Sequence, residues 1–158
     1  MSIAIRRAEL SDLPSLKMLI RALADFEVLP PPDEDAQLRF EQDGWPVDGS
    51  NPKFCAWLIE QNKRNSIPCV IGYAITFQTY SSFLAKPTLF LEDLFILPEY
   101  RKLGAGRAVF DHLLNEASLI GAGRIDWVVL NWNTGAQEFY QKLGAKYLSE
   151  WHCYRLEI

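Results

Sequence analysis

The sequence lacks several features that particular classes of protein require. Within its 158 residues no apolar run approaches the roughly 20 residues needed to cross a bilayer, and the opening MSIAIRRAELSD contains no apolar signal segment. The formal net charge is −4, so there is no basic excess of the kind that binds nucleic acid. We therefore expect a cytoplasmic protein that binds neither membranes nor nucleic acid.

Cysteine and histidine are also scarce. The three cysteines, Cys55, Cys69 and Cys153, are odd in number and widely spaced, which favours buried free thiols in a reducing compartment over a disulfide framework. The two histidines, His112 and His152, show no ligand spacing with the cysteines. No metal site is therefore predicted.

Hydrophobic residues make up 49% of the chain, which is enough for one core in a single domain over residues 1–158. Apolar periodicity predicts the following elements: strands at 3–6, 54–60, 69–80, 88–97 and 124–131, one or two closing strands within 145–156, a helix from Ser11 to Phe26, a short acidic helix before Asp43, and helices at 104–120 and 134–143. A turn is expected at 62–67 and irregular chain at 80–87. Strand–helix alternation after a β-rich first half predicts a mixed sheet with helices on both faces.

The segment from Asp25 to Asp43 contains seven acidic residues and a single basic one, Arg39. Such a run is typical of a solvated face. The alternative is an acidic rim whose field attracts a cationic substrate, and the overall negative charge suits an amine.

The stretch 88–109, TLFLEDLFILPEYRKLGAGRAV, joins an apolar strand to a glycine-rich loop and an amphipathic helix. Because a helix N-terminus presents unpaired backbone N–H groups, this loop predicts an anion site. It is not a P-loop, since no Gly-Lys-Ser/Thr follows. It also departs from the dinucleotide fingerprint, which needs a third glycine at Val109 and a loop directly after its strand.

Two motifs resemble those of the GNAT acetyl-CoA-dependent N-acetyltransferases. Arg101, Gly104 and Gly106 match the pyrophosphate loop Arg-x-x-Gly-x-Gly of that superfamily. The run NWN-x-x-A-x-x-x-Y at 131–140 resembles its second signature, a strand–helix corner that holds the pantetheine arm. These motifs and the segment LADFE at 23–27 further resemble the diamine and polyamine acetyltransferases and their thialysine-acetylating relatives.

The resemblance implies a fold, a cofactor and a partner. The expected fold class is α/β (α+β), the GNAT fold, with a mixed, mostly antiparallel sheet of six to seven strands that splay at the cofactor site. Acetyl-CoA is the expected co-substrate, a small amine the expected acceptor, and a homodimer the expected assembly.

The resemblance also assigns residues to acetyl-CoA. Backbone N–H groups of Leu94, Phe95 and Ile96 are expected to bind the acetyl carbonyl. The pyrophosphate is expected to bind the loop residues Arg101, Lys102, Leu103, Gly104, Ala105, Gly106 and Arg107. Asn133 and Ala136 are expected near the pantetheine arm, where Asn133 either caps its helix, bonds the pantetheine amides, or does both.

Acetyl transfer places demands on particular side chains. A primary amine has a pKa of about 10.4, so it must lose a proton before or during attack on a thioester. Glu92 is the candidate base and is expected to act through a water. The alternative role for Glu92 is that of a structural carboxylate, charge-paired on its strand. Asp93 points to the opposite face unless a bulge intervenes, and one of the two acids is expected to face the amine. Tyr140 is by resemblance the general acid, and its alternative is a core aromatic beside Phe139.

Ser82 bears on the length of the substrate. The polyamine enzymes carry an acid at its place, whereas the thialysine-type relatives carry serine. Phe26 and Glu27, in contrast, match the residues of the enzymes that this chain resembles, and they are predicted to contact substrate. We therefore expect thialysine or a small diamine to be acetylated better than spermidine. Two other functions stay open, namely acetylation of a protein N-terminus or lysine, and a non-catalytic acetyl-CoA-binding module, against which Glu92 and Tyr140 together argue.

Overall fold

The computed structural model describes residues 2–62 and 67–158, which fall into two compact units, 2–127 and 128–158. The first unit is built on a sheet whose five strands lie in chain order. They are β1 (Ser2–Arg7), β2 (Cys55–Asn62), β3 (Cys69–Ser81), β4 (Lys86–Ile96) and β5 (Ile125–Trp127). The strands β1 to β4 form an antiparallel meander, and β5 joins β4 in parallel. The predicted mixed, mostly antiparallel sheet is confirmed.

The helices of the first unit are α1 (Leu13–Glu27), α2 (Glu34–Gly44) and α3 (Ala105–Leu119), and the second unit contains α4 (Thr134–Lys142). Helix α1 follows a 3₁₀ turn, and its N-cap is Asp12 instead of the predicted Ser11. The Asp12 carboxylate accepts hydrogen bonds from the Glu9 N–H at 2.8 Å and from the Arg6 guanidinium at 2.7 Å. These bonds fix the chain at Asp12, which explains the later start of the helix.

The two faces of the sheet are covered by different helices. Leu16 and Leu19 of α1 are fully buried in one cluster with Leu58 and Phe95 of the sheet. Trp57, the neighbour of Leu58 on β2, points to the opposite face because strand side chains alternate. Its ring packs on His112 of α3 with the centroids 4.5 Å apart. Each fully buried leucine contributes about 1.5–3 kcal/mol to this core.

The connection between β3 and β4 is shorter than predicted. The segment 80–87 was expected to be irregular, but β3 continues to Ser81 and β4 begins at Lys86, with a four-residue turn between them. The Ser81 hydroxyl accepts a hydrogen bond from the Leu84 N–H at 3.2 Å, and Ala85 adopts a left-handed φ of 49°. Side-chain closure of the turn allows the two strands to pair from Ser81 and Lys86 at the turn to Gly72 and Ile96.

The C-terminal segment contains fewer strands than predicted. The predicted strand at 124–131 is reduced to β5, and the described residues after α4 contain no strand, so the described sheet has five strands instead of six to seven. Tyr147, Trp151 and Tyr154 are exposed there. Side chains that favour strands form one only where a neighbouring strand supplies hydrogen bonds, and sequence pattern does not reveal that neighbour.

The cysteines are free, as predicted, but they are not buried. Cys69 and Cys153 are exposed and Cys55 is half-buried. Cys69 is the first residue of β3 and Cys153 belongs to irregular chain, so neither reaches the core. Of the turn predicted at 62–67, residues 63–66 lie outside the described residues.

Candidate active site

A β-bulge separates the two adjacent acids of β4. Asp93 lies opposite Ile75 of β3, whereas Leu91 lies opposite Thr76, so Glu92 is the extra residue. A bulge re-aims the side chains around it. Glu92 is exposed, whereas Asp93 is half-buried on the sheet face that α1 covers. Such a bulge was the stated exception to the prediction that Asp93 points to the opposite face from Glu92.

The Asp93 carboxylate accepts a hydrogen bond from a buried tyrosine. The hydroxyl of Tyr73 on β3 donates a hydrogen bond to Asp93 Oδ2 at 3.1 Å. Burial raises the pKa of Asp93 to about 6, the Tyr73 hydrogen bond opposes that rise, and the negative charges of Glu92 and Glu27 add to it. Asp93 therefore exchanges its proton close to neutrality, which is typical of a functional carboxylate.

Glu27, a predicted substrate contact, is the last residue of α1. Burial raises the pKa of its carboxyl group. The next residue, Val28, ends the helix in a left-handed conformation with φ 57°, and its N–H donates to the carbonyls of Ala24 and Asp25. A β-branched residue rarely adopts this conformation, so the end of α1 is locally strained.

Arg101 links the end of α1 to the glycine-rich loop. Its guanidinium lies 4.7 Å from the centre of the Phe26 ring and 5.5 Å from that of Phe95, and its Nε donates to the Ile96 carbonyl at 2.8 Å. Burial lowers the pKa of Arg101. In the structure this side chain contacts two aromatic rings and the end of β4, and its contact with the pyrophosphate stays a prediction.

The loop from Lys102 to Arg107 presents backbone donors. Lys102 and Gly104 have left-handed φ values of 61° and 87°, and α3 begins immediately after Gly104. The N-cap residue of α3 is Gly104, which has no side chain to accept from the first N–H groups, whereas Asp33 caps α2 through the Ala36 N–H. The first N–H groups of α3 thus remain available to an anion. Arg107 forms an exposed ion pair with Asp111 at 3.0 Å.

The second half of β4 has one open edge among the described strands. The strand β5 pairs with β4 only from Leu89 to Leu91, and β4 continues to Ile96. The Leu97 N–H bonds the Ile71 carbonyl on β3. Since alternate residues of an antiparallel strand turn their N–H groups to opposite sides, those of Leu94 and Ile96 face the open edge and that of Phe95 faces β3.

The second unit contains the remaining predicted residues. Asn133 caps α4, because its Oδ1 accepts from the Ala136 N–H at 3.2 Å. The predicted cap is therefore present, and it uses the Ala136 N–H. The Tyr140 ring packs beside Phe139 with the centroids 5.5 Å apart, and burial raises the pKa of its phenol.

Ser82 lies far from the acids Glu27 and Asp93 of the same chain. It lies exposed in the turn between β3 and β4. A strand rises about 3.3 Å per residue, so Asp93 lies roughly 20 Å along β4 from Lys86. The structure therefore brings together Phe26, Glu27 and Asp93, but not Ser82.

Sequence reasoning missed Tyr73. It lies in the apolar run VIGYAI of β3, where a tyrosine resembles any other large core residue. Its hydroxyl is the one polar atom at the end of an apolar side chain, and buried tyrosine hydroxyls usually have a hydrogen-bond partner. That chemistry was the available signal, but the partner lies 20 residues away in the chain.

No helix among residues 2–62 and 67–158 combines the length and apolarity needed to cross a membrane. The same residues contain no cluster of three or more His, Cys, Asp and Glu side chains arranged to hold a metal ion.

Comparison with known proteins supplies the family. The thialysine N-epsilon-acetyltransferase of Bos taurus is 31% identical over 98% of this chain and 92% of its own length. The L-ornithine N5-acetyltransferase NATA1 of Arabidopsis thaliana is 38% identical over 60% of this chain and 41% of its own. The structure of AAC(6')-Iy with the bisubstrate analogue CoA-S-monomethyl-acetylneamine has a TM-score of 0.73 at 19% identity and covers 100% of both chains, which supports the fold. A model of the acetyltransferase (GNAT) family matches residues 16–145. With that match and the full-length similarity to an N-acetyltransferase, the chain belongs to the acetyltransferase (GNAT) family and is an acyltransferase.

Proposed function

We propose that this protein transfers the acetyl group of acetyl-CoA to the primary amine of a small substrate, a thialysine-like amino acid or a short diamine. The observation that carries the proposal is the group of three acids where α1 ends beside β4, in which the negative charges of Glu27 and Glu92 act on Asp93. Such a group stabilises a protonated amine while it is bound. The half-buried Asp93 is the member best placed to do so, because charges interact more strongly away from water.

The loop from Lys102 to Arg107, at the start of α3, has a backbone that suits binding of a pyrophosphate. A Cβ at Gly104 would meet no atom within 4 Å, so the backbone there is open to an incoming group. The uncapped N-terminus of α3 offers N–H donors and the positive end of the helix dipole. Lys102 and Arg107 are the residues proposed to add charge. When bound, acetyl-CoA supplies the activated acetyl thioester.

Different residues of β4 are proposed to have different roles in the reaction. Asp93 holds the ammonium group of the substrate. Exposed Glu92 accepts the proton through a water, because solvent reaches it. The N–H groups of Leu94 and Ile96 donate to the acetyl carbonyl oxygen, which gains negative charge during attack.

Tyr140 is the proposed general acid. The raised pKa of its phenol means that it carries a proton at neutral pH. General acid catalysis contributes a factor of about 10²–10⁴, so we expect Tyr140→Phe to lower kcat by that factor. Tyr147→Phe, at an exposed tyrosine, is the matched control. Full turnover by Tyr140→Phe contradicts the assignment.

The preferred acceptor is proposed from two observations. The relative from Bos taurus acts on thialysine and resembles this chain over nearly its full length. Within one chain Ser82 lies far from Asp93, so the second observation comes from the resemblance: the polyamine enzymes carry an acid at the place of Ser82, and serine offers no negative charge for the distal ammonium of a long polyamine. We therefore propose that spermidine is the poorer substrate.

Further properties of the whole protein remain proposals. The family match runs from residue 16 to residue 145 and includes residues of both units, which supports a single N-acetyltransferase domain over 1–158. A homodimer and a cytoplasmic location are also proposed. Light scattering of the purified protein tests the former, and fractionation of its native cells tests the latter.

A thiol-release assay tests the reaction. Purified protein is mixed with acetyl-CoA and, separately, thialysine, ornithine, putrescine, spermidine and a lysine-containing peptide. We expect CoA release with thialysine or a short diamine, together with an acetylated product in mass spectrometry. Release with the peptide alone favours a protein acetyltransferase. Binding of acetyl-CoA without release for any amine favours the non-catalytic module and contradicts the proposal.

A further inference from the structure

We propose that Tyr73 is a positioning residue of the amine site, whose hydroxyl orients the Asp93 carboxylate and favours its charged form. The inference rests on the proposed function, since it takes Asp93 as the group that holds the substrate ammonium. Tyr73 itself lies in the core and acts on the substrate only through Asp93.

The geometry of Tyr73 supports this role. Its side chain is completely buried in the cluster that joins α1 to the sheet. Its hydroxyl donates a hydrogen bond to Asp93 Oδ2 at 3.1 Å. Phenylalanine would fill the same volume without the oxygen. The hydroxyl is therefore not needed to fill space, and its structural consequence is the hydrogen bond to Asp93.

The surroundings of Asp93 oppose its ionisation. Burial disfavours the charge, and the acids that face it are Glu27 from α1 and Glu92 from β4, both of which disfavour a further negative charge. The hydrogen bond from β3 acts in the opposite direction and lowers the pKa of Asp93. Burial also raises the pKa of Tyr73, so this phenol keeps its proton and stays a donor at every working pH.

The consequence concerns the pH at which the amine site is charged. Without the Tyr73 hydroxyl the carboxylate loses a donor to its charged form, so its pKa must rise above the present value. A hydrogen bond to a charged group corresponds to about one to two pKa units. A carboxylate that titrates above neutrality would be mostly protonated at pH 7 and would hold an ammonium poorly.

The test compares Tyr73→Phe with the wild-type protein and with Tyr147→Phe, in which the same oxygen is removed from an exposed tyrosine. Carboxyl ¹³C resonances of aspartate are titrated by NMR, and Asp93→Asn identifies the Asp93 resonance. In parallel, kcat/KM for the best amine is measured between pH 5 and pH 9. Thermal unfolding of each variant is recorded to confirm that it is folded.

We expect the Asp93 resonance of Tyr73→Phe to titrate about one to two pH units higher than in wild type, and the acidic limb of its kcat/KM profile to move in the same direction. Tyr147→Phe should leave both unchanged. An Asp93 titration that does not move in folded Tyr73→Phe overturns the inference. The NMR titration needs no acetyl transfer, so absence of activity with every amine would overturn the proposed function and leave the titration to decide the role of Tyr73.

Discussion

Asp93 and Glu92 are adjacent in the sequence, yet the bulge in β4 gives them different surroundings. Asp93 is half-buried, bonded to Tyr73 and subject to the charge of Glu27, whereas Glu92 is exposed. Two acids in such different environments suit different tasks, one binding a cation and the other exchanging a proton with water.

The burial of Asp93 has a consequence for stability. The unfolded chain titrates this group near 3.8 and the folded chain at about 6, so the folded state holds the extra proton between these values. Stability from protonated Asp93 is thus present below about pH 4 and is lost as the pH rises to about 6. We expect Asp93→Asn to raise the free energy of unfolding at pH 7.5 by about 1–3 kcal/mol, and by much less at pH 4.

Urea denaturation at the two pH values measures this difference. Asp126→Asn is the matched control, because its exposed ion pair with Arg124 contributes little. A lower stability of Asp93→Asn than of wild type at pH 7.5 contradicts this account of the site.

The two acids should also separate in steady-state kinetics. We expect Glu92→Gln to lower kcat by a factor of about 10²–10⁴ with little change in the KM of the amine, because it removes proton transfer and not binding. Asp93→Asn should mainly raise the KM of the amine. Glu99→Gln, at an exposed glutamate just beyond β4, is the control. The reverse pattern would exchange the two assignments.

At the scale of elements, Arg101 joins α1, β4 and the loop before α3. Its guanidinium contacts the rings of Phe26 and Phe95 and bonds the Ile96 carbonyl. The proposed amine site and the proposed pyrophosphate site therefore share one structural support.

We expect Arg101→Met to reduce the free energy of unfolding by about 1–2 kcal/mol in the absence of any ligand, because a cation–π contact and a charge-assisted hydrogen bond are lost. Thermal and urea denaturation of the ligand-free protein measure the loss. Arg124→Met, which breaks an exposed ion pair, should change stability by less. Unchanged stability with a raised KM for acetyl-CoA would show that Arg101 acts on the pyrophosphate, as the sequence first indicated.

The end of α1 stores strain next to Glu27. Val28 is 87% exposed and has φ 57°, so its side chain contributes little packing while its backbone is in a region that favours glycine. We expect Val28→Gly to raise the free energy of unfolding by about 1 kcal/mol in urea denaturation. Val47→Gly, at an exposed valine without a positive φ, should lower it slightly. A destabilised Val28→Gly protein would mean that the conformation is not strained.

At the scale of the whole molecule, local patterns predicted the elements well. The leucine spacing of α1, the apolar run of β4 and the glycine loop before α3 each depend on neighbouring residues, and each was recovered. The bulge at Glu92 could not be predicted, because it depends on the register of β3 against β4. The contact of Arg101 with Phe26 joins residues 75 positions apart, and nothing local marks it.

In the second unit, strands were predicted where the described chain forms none. Aromatic residues between Ala145 and Leu156 favour strands by propensity, and one or two closing strands were predicted there. The described chain there is irregular, since propensity gives no information about a pairing partner. Asn133, whose capping role depends only on Ala136 three residues later, was predicted correctly.

The central claim is that the acids Glu27, Glu92 and Asp93 form the amine site of an acetyl transfer whose preferred acceptor is a short primary amine. The most direct test is a competition in one reaction, with equal concentrations of thialysine, putrescine, spermidine and spermine, limiting acetyl-CoA, and mass spectrometry of the products. We predict that acetylated thialysine or putrescine predominates and that Asp93→Asn forms much less of either product. Predominance of acetylated spermidine or spermine, or no acetylated amine at all, would contradict the claim.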